Sequence, residues 1–436
     1  METVRLLPAI VKRAKDAARA VKGAKVQAIE PVRDSSLTRI LNLPHFEVWG
    51  YAVETDVEKG ILHLHCRLTV AAAICPCCQA ATLTIKEHKD RCVRDLGWCD
   101  LRTFVHFKIR RFECEHCGIR FTEELQAIRW RRHQTQRFEE AVYRRCLKSD
   151  KKAVAEIFHL SESTVHGIFN HYAKRTEQAQ STDIIVRILG MDEIAIKKRH
   201  KQFALVISDL ERRCVIAVLP SRELAEIIRW FSTLSQEQIQ AIRTVSMDMW
   251  RPYRSFVEQY LPHADIVADR FHVMKQLNDQ LSKVRRQIQR NADEETKAAL
   301  KGCRWLLVRN RDSLSDEQRQ QLQIALDADP DLCLAYRFKE EFRFIFERFH
   351  DQERARRFLE AWMLHVEFAN NKYLIAFVKT LRNWFQQILN YFDKRITNGF
   401  VEGMNRAIRL VISRAFGYRN FDNFRLQILA QHGPPL

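Results

Sequence analysis

The chain has 436 residues, more than one ordinary hydrophobic core accommodates, which indicates about two to four domains. It is 46% hydrophobic with 12 Gly and 10 Pro, a composition that indicates a folded protein and excludes a low-complexity or disordered chain. Its 72 Lys and Arg against 54 Asp and Glu give a net charge of +18, which suits a polyanionic partner and makes nucleic acid the first candidate.

No apolar run reaches the roughly 18 residues that a membrane helix requires, and no secretory pattern opens the sequence. We therefore expect no membrane association and a cytoplasmic, nucleoid-associated location. Residues 1–36 are predicted to form a basic, Ala-rich helical extension. Three interpretations are open for this extension: an arm that touches DNA, a loosely attached segment, or the product of a start codon placed too far upstream.

Residues 37–130 are predicted to form a β-rich module that binds zinc. Short strand patterns such as EVWGYAVE, ILHLHCRLTV and TFVHFKIRRFEC surround two C-x-x-C pairs. Zinc takes four thiolates in a tetrahedron, and two such turns supply them. The expected ligands of this structural Zn²⁺ are Cys75, Cys78, Cys114 and Cys117. Possible substitutes are Cys77, Cys92, Cys99 and His116, and the alternative is a set of reduced cysteines without metal.

Residues 131–180 are predicted to contain a helix-turn-helix, over KKAVAEIFHLSESTVHGIFNHY at 151–172. The residues expected to face inward are Val154, Ile157, Leu160, Val165, Ile168 and Phe169. Ser161 is a suitable N-cap for the second helix. The exposed face of that helix would present Ser163, Thr164, His166 and Asn170 to base edges in the major groove of double-stranded DNA. Many helical hairpins share this pattern without binding DNA.

From residue 184 the predicted elements are a strand, a hairpin, a helix, a strand, a helix, a strand and a long helix. This is the element order of a ribonuclease-H-like mixed-sheet core, which we assign to residues 181–290. Its first strand is predicted to end at Asp192, its fourth at Asp248 and its fifth at Asp269. Because the first and fourth strands of such a core are neighbours, Asp192 and Asp248 are expected to meet. Glu193 should point to the opposite face of its strand, as a solvated neighbour.

Residues 291–390 have a helical, aromatic and charged pattern that predicts an inserted α-helical domain, and residues 391–436 are predicted to complete the core. In this last part Glu402, Asn405, Arg406 and Arg409 fall on one face of a helix. A polar face beside apolar Val401 and Ile408 indicates that it lines a site.

Two strand-end aspartates and one helix-borne glutamate are a recurrent device for phosphodiester chemistry. Their oxygens suit Mg²⁺ or Mn²⁺ better than zinc, and two such ions assist the attacking and the leaving oxygen. The expected catalytic and magnesium-binding residues are Asp192, Asp248 and Glu402. Asp269 is the reserve candidate for the second aspartate, since it also ends a strand.

The motifs CPCC, RRFECEHCGIRFTEEL, GMDEIAIKKRHKQF, VSMDMWRPY, IVADRFHV and NGFVEGMNRAIRLV together resemble those of insertion-sequence transposases of the ISL-three group, a DDE-type family. The resemblance covers residue 37 to the end. It implies a multidomain α/β protein with the zinc module, the helix-turn-helix and the interrupted core described above. It also implies that Asp269 and His272 support the catalytic residues. Arg199, in a hairpin turn where a small residue is expected, departs from the pattern.

Further DNA contacts are predicted at basic and aromatic side chains. Arg285 and Arg286 are candidates for holding phosphates, the alternative being a solvated basic face. Trp305 and Trp384 are candidates for stacking on a base, but packing in the core is the favoured role for both.

The function that the resemblance implies is a DNA transposase. It would bind the terminal inverted repeats of its element, cleave DNA and join the 3′-hydroxyl ends to target DNA, working as a homodimer or higher oligomer. Two alternatives stay open: a transposase-derived DNA-binding regulator without catalysis, and a nuclease without strand transfer.

Overall fold

The computed structural model describes residues 29–32, 35–54, 60–180, 184–197, 202–396, 399–415, 417–418 and 420–435, except for the side chains of residues 180, 197, 202, 399 and 402. The chain divides into two compact units, Met1–Tyr172 and Ala173–Leu436. Most of the basic extension predicted at 1–36, and the hairpin turn with Arg199, lie outside the described residues. Over the part of the chain that the structure does describe, none of the helices has the length and apolar character of a membrane span.

The first unit is built on a mixed β-sheet. Its elements are β1 (Glu30–Pro31), α1 (Ser36–Leu41), β2 (Phe46–Glu54), β3 (Ile61–Leu68), β4 (Ala73–Ile74), β5 (Ala81–Thr82), β6 (Ile85–Trp98), β7 (Leu101–Glu113) and β8 (Arg120–Thr122). The large sheet has the order β1-β2-β3-β7-β6 with β8 paired to β7, while β4 and β5 form a separate hairpin. The β-rich character is as predicted, but the 14-residue strand β6 was missed because its side chains are mostly exposed and do not alternate.

Three helices complete the first unit: α2 (Gln136–Cys146), α3 (Lys151–Phe158) and α4 (Glu162–Gln180), the last of which extends into the second unit. Helices α3 and α4 form the predicted helix-turn-helix. Ser161 Oγ accepts a hydrogen bond from the Thr164 amide at 3.2 Å, the expected cap. The prediction for Ile157 is wrong, since its side chain is 50% exposed. Ala155 is buried instead, because α3 turns the side of Val154 and Ala155 inward and leaves Ile157 on the flank.

The second unit contains a five-stranded mixed sheet. Its strands are β9 (Ile188–Lys197), β10 (Gln202–Asp209), β11 (Cys214–Leu219), β12 (Thr244–Met247) and β13 (Asp265–Ala268), in the order β11-β10-β9-β12-β13. Strand β10 is antiparallel to both β9 and β11, and β12 is parallel to both β9 and β13. The central strand β9 therefore has a hairpin partner on one side and a parallel partner on the other.

Helices cover both faces of this sheet. They are α5 (Leu224–Phe231), α6 (Gln236–Ala241), α7 (Arg251–Tyr260), α8 (Arg270–Asn291), α9 (Glu294–Ala299), α10 (Arg304–Val308), α11 (Asp316–Asp327), α12 (Pro330–Arg348), α13 (Gln352–Phe368), α14 (Lys372–Asn383), α15 (Phe385–Lys394), α16 (Gly399–Arg414) and α17 (Phe421–His432). Helix α15 packs against β13, while α16 packs against β9 and α17 against β11.

The helices between residues 294 and 394 do not have a core of their own. Phe346 of α12, Trp362 of α13 and Phe392 of α15 belong to the same buried cluster as Leu189 and Val245 of the sheet. Helix α8 connects them, since it contacts α10, α12 and α14. The opposite face of the sheet carries a much smaller cluster around α16 and α17. One face of the sheet therefore packs against a large apolar cluster and the other face against a small one.

Candidate active site and zinc site

Three aspartates lie at one edge of the second sheet, at the level where β12 ends. Met247, the last residue of β12, pairs with Met191 of β9 and with Ala268 of β13. The next residue on each of the three strands is an aspartate: Asp192, Asp248 and Asp269. Strand register thus brings together side chains that are far apart in the sequence. Asp192 does not end its strand as predicted, because β9 continues along β10 to Lys197.

Asp192 is buried, with 8% of its surface exposed. Its Oδ1 accepts a hydrogen bond from the Glu193 amide at 2.7 Å, and its Oδ2 accepts one from the Asn405 side chain. Burial raises the pKa of Asp192 to about 6, and the neighbouring Asp269 carboxylate adds to the rise, whereas the two hydrogen bonds oppose it. The ionised carboxylate is therefore held at a cost, which a nearby cation would relieve.

Asp248 and His272 are in direct contact through Asp248 Oδ1 and His272 Nδ1. Both atoms are buried. One ligand atom each from Asp192, Asp248 and His272 lies within 4.8 Å of the others, a separation that a single ion can bridge. Burial lowers the pKa of His272 to about 4, with a further contribution from Lys275. A neutral imidazole can offer a lone pair, so His272 is a candidate ligand that the sequence presented only as support.

Asp269 has a different local role. Its carboxylate caps helix α8 by accepting a hydrogen bond from the Phe271 amide at 3.0 Å, and its own amide donates to the Met247 carbonyl at 3.0 Å. Its second oxygen is 3.9 Å from His272 Nδ1. Asp269 thus fixes the start of the helix that carries His272.

Glu193 points to the face opposite Asp192, as the alternation of a strand requires. It is not the solvated neighbour that the sequence suggested. Its carboxylate accepts hydrogen bonds from Tyr253 Oη and from the Arg222 guanidinium, both at 3.2 Å. Its side chain is only 16% exposed, because α7 brings Tyr253 against this face. Glu193 is therefore an anchored, ion-paired residue.

Helix α16 packs on the face of the sheet that carries the smaller apolar cluster. Glu402 lies in its first turns, and its side chain falls outside what the structure describes. Asn405, three residues later, is 5% exposed and is the residue that bonds to Asp192. Arg406 and Arg409 of the predicted polar face are exposed. The sequence placed Asn405 on a site-lining face, but nothing in it indicated Asp192 as the partner.

The four predicted zinc ligands converge in the first unit. The Sγ atoms of Cys75, Cys78, Cys114 and Cys117 lie within 4.8 Å of one another. Cys75 is 3.6 Å from Cys117, and Cys78 is 3.5 Å from Cys114. Four ligands at ~2.3 Å from zinc are about 3.8 Å apart in a tetrahedron, so the cluster fits the ion. The proposed substitutes are not needed.

The two C-x-x-C turns have the same backbone geometry. The amides of Cys75 and Cys114 each donate to a carbonyl five residues later, and their carbonyls each accept from the amide four residues later. That fourth residue, Gln79 or Gly118, has a positive φ of 60° or 73°. Hydrogen bonds from the amides of Cys78 and Cys77 lower the pKa of Cys75 to about 6, which favours the thiolate that zinc binds.

The residues predicted to contact DNA are partly accessible. On α4, Ser163 is exposed, and Thr164, His166 and Asn170 are half-buried. Burial, together with Lys151, lowers the pKa of His166. The predicted DNA contacts at these side chains stay predictions.

The remaining basic and aromatic candidates differ in exposure. On α8, Arg286 is exposed, whereas Arg285 is half-buried and bonds to Gln289 Oε1 at 2.7 Å. Trp384 is 5% exposed and packs in the core as favoured. Trp305 is 64% exposed with Arg304 over its ring, so the packing role expected for Trp305 is wrong.

Comparisons with known proteins agree with this architecture. A family model described as a transposase matches residues 189–428, more than half of the chain. The helix-turn-helix domain of transposase family ISL3 matches residues 123–173, and the zinc-finger of transposase IS204/IS1001/IS1096/IS1165 matches residues 71–117.

Two curated relatives extend the likeness over most of the chain. The transposase for insertion sequence element IS1001 of Bordetella parapertussis is 29% identical over 389 residues, which cover 87% of this chain and 95% of the relative. The transposase for insertion sequence element IS1557 of Mycobacterium tuberculosis (strain CDC 1551 / Oshkosh) is 25% identical over 372 residues, which cover 79% of this chain and 82% of the relative.

Proposed function

Since the chain belongs to the transposase family ISL3, we propose that it is a DDE transposase that binds the terminal inverted repeats of its insertion sequence, cleaves DNA and joins the 3′-hydroxyl ends to target DNA. The observation that carries the proposal is the convergence of Asp192 and Asp248 at one edge of the sheet, with Asn405 connecting Asp192 to the helix of Glu402. Carboxylates from separate elements that meet in this way suit phosphodiester chemistry.

The order of the strands supports a ribonuclease-H-like core. Numbered along this unit, the strands lie in the order third, second, first, fourth, fifth, with the second antiparallel to the first. The fourth and fifth strands are parallel to the first, so the first and fourth strands can bring their aspartates side by side. We infer from this order the fold type that the element sequence predicted.

The donor set fits Mg²⁺ or Mn²⁺. Carboxylate oxygens are the ligands that these hard ions prefer, and one ligand atom each from Asp192, Asp248 and His272 lies within 4.8 Å of the others. Asp192 and Asp248 would hold the ions, with Glu402 as the third carboxylate and His272 as a possible fourth ligand. Bound there, the ions would supply charge stabilisation for the phosphate and activate the attacking water or 3′-hydroxyl.

The surrounding residues orient the carboxylates. The Glu193 amide and the Asn405 side chain donate one hydrogen bond to each oxygen of Asp192, so its lone pairs are left in a fixed direction. Asp269 holds the N-terminus of α8 and thereby places His272 against Asp248. Preorganised groups of this kind act without reorganising during the reaction.

DNA would be held by three parts of the chain. The exposed face of α4, with Ser163, is proposed to enter the major groove, and the zinc module and Arg286 are proposed to contact phosphates. The net charge of +18 favours such contacts. Because two element ends must be joined, we propose a homodimer or higher oligomer acting at the bacterial nucleoid in the cytoplasm.

The test is cleavage of a labelled duplex that carries the terminal repeat, with Mg²⁺. Asp192→Ala, Asp248→Ala and Glu402→Ala should each abolish cleavage and retain DNA binding, whereas Asp209→Ala, a buried aspartate paired with Arg212 outside the site, serves as control. Binding by the wild type without any cleavage would favour the regulator, and cleavage without strand transfer would favour the nuclease. If Asp269 proves essential and Asp248 dispensable, the assignment of the second aspartate is wrong.

A further inference from the structure

We propose that Asn405 is the positioning residue of the carboxylate site: its amide holds Asp192 in the orientation of a ligand and sets helix α16 in register with strand β9. This inference rests on the proposed function, because it concerns the same site. It assigns a role to a residue that is neither one of the three carboxylates nor a surface contact to DNA.

The direction of the hydrogen bond is fixed by chemistry. An ionised carboxylate can only accept, so the Asn405 atom that faces Asp192 Oδ2 is the amide nitrogen. The bond joins residues 213 positions apart and is buried. Among the described residues, no lysine or arginine side chain forms a hydrogen bond or an ion pair with Asp192. The amide is therefore the only side-chain donor described at this carboxylate.

The two hydrogen bonds to Asp192 have different origins. The bond from the Glu193 amide, at 2.7 Å, is formed within β9 and does not depend on the position of α16. The bond from Asn405 exists only when α16 is docked on the sheet. The orientation of Asp192 is thus complete only when the helix that carries Glu402 is in place.

The position of Asn405 on α16 also sets the rotation of the helix. A bond that turns Asn405 toward Asp192 fixes the rotation of α16 about its own axis, because residues three or four apart share one face of a helix. Met404 and Ile408 pack into the small cluster on this face, at 8% and 0% exposure. Apolar packing alone tolerates small rotations, whereas one directed bond does not.

If residue 405 served only to pack the helix, a buried amide would be less favourable than an apolar side chain. Asn405 Oδ1 is buried and has no hydrogen-bond partner among the residues that the structure describes. A leucine has the same branched heavy-atom skeleton and would avoid that cost beside Met404 and Ile408. We infer that the amide is present for its donor, which only Asp192 uses.

The experiment separates this donor from packing. Asn405→Leu and Asn405→Ala are compared in the full-length protein with Ile408→Val, a control that removes one methyl group from the same buried side of α16. Mn²⁺ binding is measured by electron paramagnetic resonance, cleavage in single turnovers, and stability by thermal unfolding. We expect Asn405→Leu and Asn405→Ala to stay folded at the assay temperature and yet to bind Mn²⁺ and cleave ~10–100-fold more weakly, as outer-shell partners of a metal site do. Ile408→Val should change neither value by more than about twofold.

The inference is overturned if Asn405→Leu binds Mn²⁺ and cleaves within about twofold of the wild type. It is also overturned if both Asn405 variants lose activity only in proportion to lost folded protein. A wild type that binds Mn²⁺ but cleaves no DNA would refute the proposed function alone, because the Mn²⁺ affinities of the variants still test the role of Asn405.

Discussion

Removing the charge of Asp192 should stabilise the metal-free protein at neutral pH. The pKa of this buried carboxyl is raised from 3.8 to about 6, so folding disfavours its ionised form. Below about pH 4 the carboxyl is protonated in both the folded and the unfolded protein, and its burial costs no charge. The loss of folding stability grows as the pH rises toward 6 and is complete above it. At 1.36 kcal/mol for each pH unit, the penalty is about 3 kcal/mol at pH 7.5.

Asp192→Asn removes this penalty at a smaller cost. The new amide can keep its oxygen on the Glu193 amide and donate its NH₂ to Asn405, but the Asn405 side chain must then turn to present its Oδ1, a rearrangement that costs about 1 kcal/mol. The net gain at pH 7.5 is therefore about 2 kcal/mol, or a rise in melting temperature of about 4–8 °C for a unit of this size. At pH 4 the variant should be slightly less stable than the wild type.

The assay is calorimetric unfolding with EDTA at pH 4.5, 6 and 7.5, repeated with Mg²⁺. Saturating Mg²⁺ should stabilise the wild type only, by about 2.7 kcal/mol at a hundredfold excess over the dissociation constant, so that the order of the two proteins reverses. Asp209→Asn is the matched control, since Asp209 is equally buried but paired with Arg212 and should lose stability at pH 7.5. A metal-free Asp192→Asn variant that is less stable than the wild type at pH 7.5, or a difference that does not change with pH, would refute the reasoning.

Three further outcomes are expected. Cys75→Ser should release the zinc of the first unit and lower its melting temperature, whereas Cys77→Ser, at an exposed cysteine outside the cluster, should retain one zinc per chain by elemental mass spectrometry. Arg286→Ala should weaken binding of all DNA sequences about equally and reduce the slope of log K against log salt by about 1, measured by fluorescence anisotropy; an unchanged slope would remove Arg286 from the DNA interface. Phe346→Ala, in the core that the helices share with the sheet, should cost about 3–5 kcal/mol and shift a single calorimetric transition of the second unit; a helical transition that melts separately would contradict the shared core.

The sequence predicted what local patterns determine. The C-x-x-C pairs, the capped turn at Ser161 and the aspartates that follow β12 and β13 could all be found from residue types and spacing. Asp192 was found for the right pattern but placed at the wrong point of its strand, because the length of β9 is set by its hairpin partner β10. Strand β6 was missed because an exposed strand has no hydrophobic alternation.

What the sequence could not give was the identity of long-range partners. Nothing local indicates that Asn405 bonds to Asp192, or that Glu193 pairs with Arg222 and Tyr253. These partners come from α16, from the segment between β11 and α5, and from α7. The exposure of Trp305 was likewise a matter of packing. Residue type and sequence periodicity predict which face of an element a side chain occupies. The packing of the elements determines which residue it contacts.

The two faces of the second sheet differ in the size of the apolar cluster that they bury and in the part of the proposed site that they hold. The helices of 294–394 bury large aromatic side chains on one face, where Glu193 is anchored by Tyr253 and Arg222. The other face holds α16 by a small apolar cluster and by the Asn405–Asp192 bond. Since α16 carries Glu402, the proposed carboxylate site is complete only when this helix is docked on the smaller cluster, whereas Asp192 and Asp248 are placed by strands that the larger cluster supports. The adjacent carboxylates Asp192 and Glu193 thus contact elements on opposite faces of the sheet. Glu193 is anchored by Tyr253 and Arg222, and Asp192 accepts the hydrogen bond from α16.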